Sequence, residues 1–157
     1  MCRAFTYRSL TIEVVTRWYR APEILLGCNT YSPVIDVWSV GCIMVEMARN
    51  KVLFEGGCDI DQLHLIFQLF GTPDETSFPG LTSMPFWRDN FPRWTRTKTL
   101  EDIAPQIPAE GLSLLRGMLE MDPSKRFKAH VALAHAYAQS RYAVAHPPSS
   151  SSSSSSS

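Results

Sequence analysis

Few side chains in this chain stand at spacings that do chemistry. His64, His130, His135 and His146 hold no metal-ligand spacing with Cys2, Cys28, Cys42 or Cys58. The cysteines contain no C-x-x-C pair, so reduced thiols and structural histidines are expected. Arg3 and Arg8 lie among the hydroxyls Thr6, Tyr7, Ser9 and Thr11 in a polar, irregular stretch that reads as an exposed loop. Asp36 is the odd carboxylate. It falls in the first turn of a segment, Ser32 to Asn50, that is apolar on nearly every face. A helix N-terminus favours a negative charge, yet a buried carboxylate still needs N–H donors.

The elements that position these residues follow from period and punctuation. Ser32 is a natural N-cap and Pro33 suits a first helical position, so Ser32–Asn50 reads as a helix wrapped on all sides by protein. Asp36 and Glu46 interrupt it, and it is too short to cross a membrane. Pro22 and Glu23 open a helix that Gly27 stops. Ile60, Leu63, Ile66, Phe67 and Phe70 recur at helical spacing over Asp59–Phe70, with Gly71 as the stop. Residues 72–108 are rich in proline and aromatics, among them Trp87, Phe91, Pro92 and Trp94, and show no period, which predicts a long irregular connection. Ala109–Met121 is amphipathic through Leu112, Leu115, Met118 and Leu119. Lys128–Gln139 is a last alanine-rich helix with a poor N-cap. From Ser140 the composition shifts to Pro147-Pro148 and an unbroken serine run, so 139–157 is expected to be a disordered tail.

Lysine plus arginine and aspartate plus glutamate number 15 each. Balanced charge gives no reason to expect a nucleic-acid or membrane-surface partner. The first residues, MCRAFTYRS, lack an apolar core for secretion, and the expectation is a cytoplasmic or nuclear protein.

Thr16 to Glu23 (TRWYRAPE) resembles the end of a protein-kinase activation segment, closing on that family's A-P-E motif. Tyr31 to Cys42 (YSPVIDVWSVGC) resembles the central F helix of the kinase C-lobe. Leu53-Phe54, Ile60-Asp61-Gln62-Leu63 and Gly71-Thr72-Pro73 resemble the G-helix region of cyclin-dependent kinases. Met118 to Arg126 (MLEMDPSKR) resembles the closing D-P-x-x-R segment, followed by Ala132-Leu133-Ala134-His135 of the I helix. The resemblance implies a mainly α fold over residues 1–138: a kinase C-lobe with activation segment and helices EF, F, G, H and I, lacking the N-lobe and catalytic loop. It also implies a parent Ser/Thr kinase that uses ATP and Mg2+, acts on Ser/Thr-Pro sites in proteins and answers to a cyclin.

No glycine-rich loop, V-A-I-K, H-R-D or D-F-G occurs in these 157 residues. The resemblance therefore assigns no catalytic, cofactor-binding or metal residue to this chain, and the chain alone is expected to be inactive. What it assigns is regulatory and substrate-facing. Thr11 matches the activating phosphothreonine and Arg3 one of the arginines that clasp its phosphate. Val15 and Arg20 match the pair shaping the pocket for a proline after the acceptor, and Thr16 matches the residue contacting the catalytic loop. Glu23 and Arg126 resemble a buried structural ion pair, and Asp36 the aspartate that accepts N–H groups from the H-R-D loop. Asp59, Ile60, Asp61, Gln62 and Leu63 match the region that docks Cks-type subunits and a phosphatase. The alternative reading is a non-catalytic docking module.

Overall fold

Pro22 begins a short helix, α1 (Pro22–Leu25), because its fixed φ suits the first turn and no N–H is lost there. The computed structural model describes residues 17–28 and 32–145. Gly27 ends α1 in the left-handed region at φ +85°. The Gly27 N–H donates to the Ile24 carbonyl at 3.0 Å and the Cys28 N–H to that of Glu23 at 2.9 Å, the paired bonds of a Schellman ending.

The long helix, α2, spans Val34–Arg49 and ends at Asn50 in left-handed conformation, φ 53°. Its start differs from expectation. Pro33 is the capping residue, already near helical φ and ψ, and the Ser32 side chain makes no cap hydrogen bond. Only the Ser32 carbonyl is used, accepting from the Ile35 N–H at 3.0 Å.

Nor is α2 wrapped on all sides. Val34, Val37, Trp38, Gly41, Cys42 and Val45 are buried, whereas Asp36, Val40, Ile43 and Met47 recur at helical spacing along one exposed face. Val40 is 53% exposed and Met47 74%. Asp36 is therefore not the buried carboxylate its apolar neighbours suggest. Its side chain is exposed along that face.

Helix α3 (Asp59–Phe70) follows the expected boundaries and buries Gln62, Leu63, Ile66 and Phe67. Residues 72–108 contain only a single 3-10 turn, Leu81–Ser83, and a short helix, α4 (Leu100–Ile103). The rest is held by side chain to backbone bonds, as a long non-periodic connection requires. The Thr72 hydroxyl donates to the Pro92 carbonyl at 2.7 Å and accepts from the Trp94 N–H at 2.9 Å. Thr99 and Asp102 form a reciprocal capping box on α4.

Helix α5 (Ala109–Met118) buries Leu112, Leu114, Leu115 and Met118. The single helix expected over Lys128–Gln139 is instead two, α6 (Ala129–Ala134) and α7 (Ala136–Ala145), broken where His135 turns extended at ψ 138°. His135 Nδ1 accepts from the Tyr137 N–H at 3.3 Å, so an imidazole stands in for the usual hydroxyl cap. The helix then runs through Ser140 to Ala145, past the point where the tail was expected to start, because AYAQSRYAVA is still alanine-rich.

Trp38 sits at the centre of the core, fully buried, with Phe54 stacked at 6.4 Å and Phe70 edge-on at 5.8 Å. Phe67, Trp87 and Phe91 form a second aromatic cluster that seats the irregular connection on α3.

Candidate functional site

The best-formed polar arrangement in the described residues is built around Arg126. Its Nη1 and Nη2 meet the two carboxylate oxygens of Glu23 at 2.6 and 2.8 Å, a bidentate pair with both side chains buried. Nη1 also donates to the Val34 carbonyl at 3.2 Å, Nη2 to Met121 at 3.3 Å, and Nε to Glu120 at 2.9 Å. All five guanidinium N–H donors thus have acceptors. The guanidinium lies 5.1 Å from the centre of the Trp38 ring, adding a cation–π contact where water is excluded.

Sequence explains how Arg126 is presented. Asp122 Oδ1 accepts from the Ser124 N–H at 2.9 Å and its hydroxyl at 2.7 Å, while the Arg126 N–H donates to the Asp122 carbonyl at 3.0 Å. This is a tight aspartate-headed turn with proline at its second position. Burial pushes the Asp122 carboxyl up. The bonds from Ser124 and the Lys125 ammonium, 3.2 Å from Oδ2, outweigh that and hold it below the usual carboxylate range.

Residues 17–20, just ahead of α1, are tied to the first turn of α3. Arg17 Nε donates to Asp59 Oδ1 at 2.6 Å, and Arg20 Nη1 stands 3.7 Å from the same oxygen. Gln62 is fully buried and closes a ring of bonds. Its Oε1 accepts from the Gly56 N–H at 2.9 Å and its Nε2 donates to the Trp18 carbonyl at 3.0 Å. The Trp18 indole N–H in turn donates to the Gly56 carbonyl at 3.2 Å. A Cβ on Gly56 would meet Gln62 backbone atoms at 2.6 Å, so only glycine fits there.

Helix α2 holds the same segment from the other side. The Ser39 hydroxyl donates to the Tyr19 carbonyl at 2.8 Å, and the Tyr19 hydroxyl to Glu46 Oε2 at 2.6 Å. That bond to Glu46, with burial second, pushes the Tyr19 phenol up to about 12. Burial likewise raises the Cys42 thiol far above its ordinary range, which makes it inert at neutral pH.

The site residues named from sequence thus divide. Arg3, Thr11, Val15 and Thr16 lie outside the described residues. Glu23 and Arg126 are brought together, and Arg20 is set beside Asp59. Of the stretch matched to partner docking, Asp59, Ile60 and Asp61 are exposed, whereas Gln62 and Leu63 are buried. Helical phase explains it: the residues facing the core cannot also face solvent. Sequence reading missed the Gln62 ring, the Arg17–Asp59 pair and the Tyr19–Glu46 bond. Gln62, a polar residue inside an otherwise apolar stripe, was the one visible signal.

Phosphate cradling needs a glycine-rich loop, and magnesium needs clustered carboxylates. Among the described residues, no group of three or more His, Cys, Asp or Glu could hold a metal ion. No helix among the described residues is long and apolar enough to cross a membrane. The A-P-E segment clamped to a closing arginine, on a buried tryptophan-bearing helix, agrees with the comparison to known families. Residues 1–138 match the protein kinase domain; the chain belongs to that family.

Proposed function

We propose that this chain is the substrate-facing and scaffolding part of a cyclin-dependent-kinase-like Ser/Thr kinase. Its parent activity is transfer of the ATP γ-phosphate to Ser/Thr-Pro sites. The observation that carries this reading is the segment 17–23, anchored by Glu23 to Arg126, by Gln62 to Trp18 and by Ser39 to Tyr19. Three anchors fix the backbone that carries Arg20, which by resemblance helps to shape the pocket for a proline after the acceptor. Positioning of that kind is most of what phosphoryl transfer asks of protein. The nucleotide-binding motifs are not in these residues, so transfer belongs to a polypeptide that also carries them.

The test is to recover the endogenous protein with an antibody against residues 59–70, weigh it, and assay it on paired Ser-Pro and Ser-Ala peptides with ATP and Mg2+. A species larger than this chain that prefers Ser-Pro at least tenfold is expected. Equal labelling of both peptides, or none, overturns the reading.

A second reading has its own observation. Ile60 is 58% exposed and, with His64, Phe86 and Phe91, lines a hollow of about 690 Å³ flanked by Asp59. A non-catalytic module that docks a Cks-type subunit uses that surface. Recovery of a species of this chain's size, unable to label either peptide, favours it.

A further inference from the structure

A groove of about 660 Å³ lies on the other side of α3, between the end of α2 and the residues leading into α4. Its apolar lining includes Leu53, Leu69 and Trp94, all partly buried. Its wall is preorganised. Thr72 clamps the backbone at Pro92 and Trp94, and the Trp94 ring packs 5.1 Å from the His64 ring on the far side. The Phe54 floor is stacked on Trp38, so the groove rests on the central core.

The charge around this lining is mainly positive. Arg49, Arg93 and Lys98 line the groove, and none of them forms a salt bridge among the described residues. The single acid, Asp102, has its Oδ2 engaged by the Thr99 N–H at 2.8 Å and hydroxyl at 2.9 Å. Lys98 does act on the Asp102 carboxylate through space and helps to hold it below the usual range, but three cations to one acid over an apolar floor are complementary to one chemistry: apolar side chains flanked by carboxylates. The volume falls in the range of ligand clefts, about 300–1,000 Å³.

We propose that this groove docks an acidic amphipathic segment of a partner protein, its apolar side chains on Leu53, Leu69 and Trp94 and its carboxylates on Arg49, Arg93 and Lys98. None of Arg20, Glu23 or Arg126 lines it, so the inference stands or falls apart from the kinase reading.

The experiment uses the full chain and a fluorescein-labelled synthetic peptide of leucine and glutamate, with leucines at i, i+3, i+4 and i+7. Saturable fluorescence anisotropy that weakens with added salt is expected. The double variant Arg93→Glu/Lys98→Glu changes only exposed side chains, and should bind at least tenfold more weakly with an unchanged circular dichroism spectrum. Arg49→Gln, a second variant, should weaken binding several-fold. A counterpart peptide with lysine for glutamate should not bind. Binding unchanged in both variants, equal binding of the lysine peptide, no saturable binding, or a preference for phosphatidylserine vesicles over the peptide each overturns the proposal.

Discussion

Arg126 is the residue whose loss the molecule should feel most. Replacing Glu23 by glutamine, or Arg126 by methionine, leaves a buried charge without its partner, and each should destabilise by roughly 3–5 kcal/mol in chemical denaturation. Arg126→Lys should be nearly as harmful, since an ammonium cannot reproduce the planar five-donor fork. Tyr19 carries the pH prediction. Its folded phenol is raised to about 12 from 10.0, so the protonated form favours the fold. That stability is fully present below pH 10 and is lost as pH rises through about 12. Phenolate absorbance should show a late-titrating tyrosine that is absent in Tyr19→Phe and shifted back toward ordinary in Glu46→Gln. Late titration that persists in Glu46→Gln would show that burial, and not this bond, is the cause. The Tyr19 bond was not legible in sequence, and the Gln62 ring showed only as a polar residue in an apolar stripe, because Glu46 and Trp18 lie 27 and 44 positions from their partners and local patterns do not report tertiary pairing. Glu23 and Arg126 were legible only as members of a recurring motif.

Apolar period made α3 legible to the residue and α5 from its start, because each presents one stripe to the core, but α5 ends at Met118 and not at Met121. The start of α2 was misplaced, since Ser32 in the N-cap pattern competes with Pro33, whose own backbone already turns helical. The break between α6 and α7 was invisible because alanine favours helix at every position there, and the interruption comes from one histidine turning outward to cap the next segment. That break makes a prediction at this scale. His135 is already extended, as a residue before proline prefers, and Ala136 is the first residue of α7. Ala136→Pro should therefore raise stability by about 0.4–1 kcal/mol through the unfolded chain. A loss of stability in thermal melts would mean that α6 and α7 exchange with one continuous helix.

For the whole molecule, the exposed face of α2 sets the behaviour in solution. Val40, Ile43 and Met47 form an uncovered apolar stripe, and the chain should bind a hydrophobic dye. Val40→Lys/Met47→Lys should cut dye binding severalfold with stability changed by less than about 0.5 kcal/mol. Unchanged dye binding would place the source elsewhere. Hydropathy alone made this helix look buried on every side, because it records which residues are apolar and not which neighbours are present. The Glu23–Arg126 pair, 103 residues apart, has a consequence during synthesis. At roughly 5–20 residues per second a ribosome takes on the order of 5–20 s to travel from one partner to the other. Through that interval the nascent A-P-E segment has no arginine to close on and α2 has no guanidinium over its tryptophan. The emerging A-P-E segment must stay open, a ready client for chaperones, until Arg126 has left the ribosome.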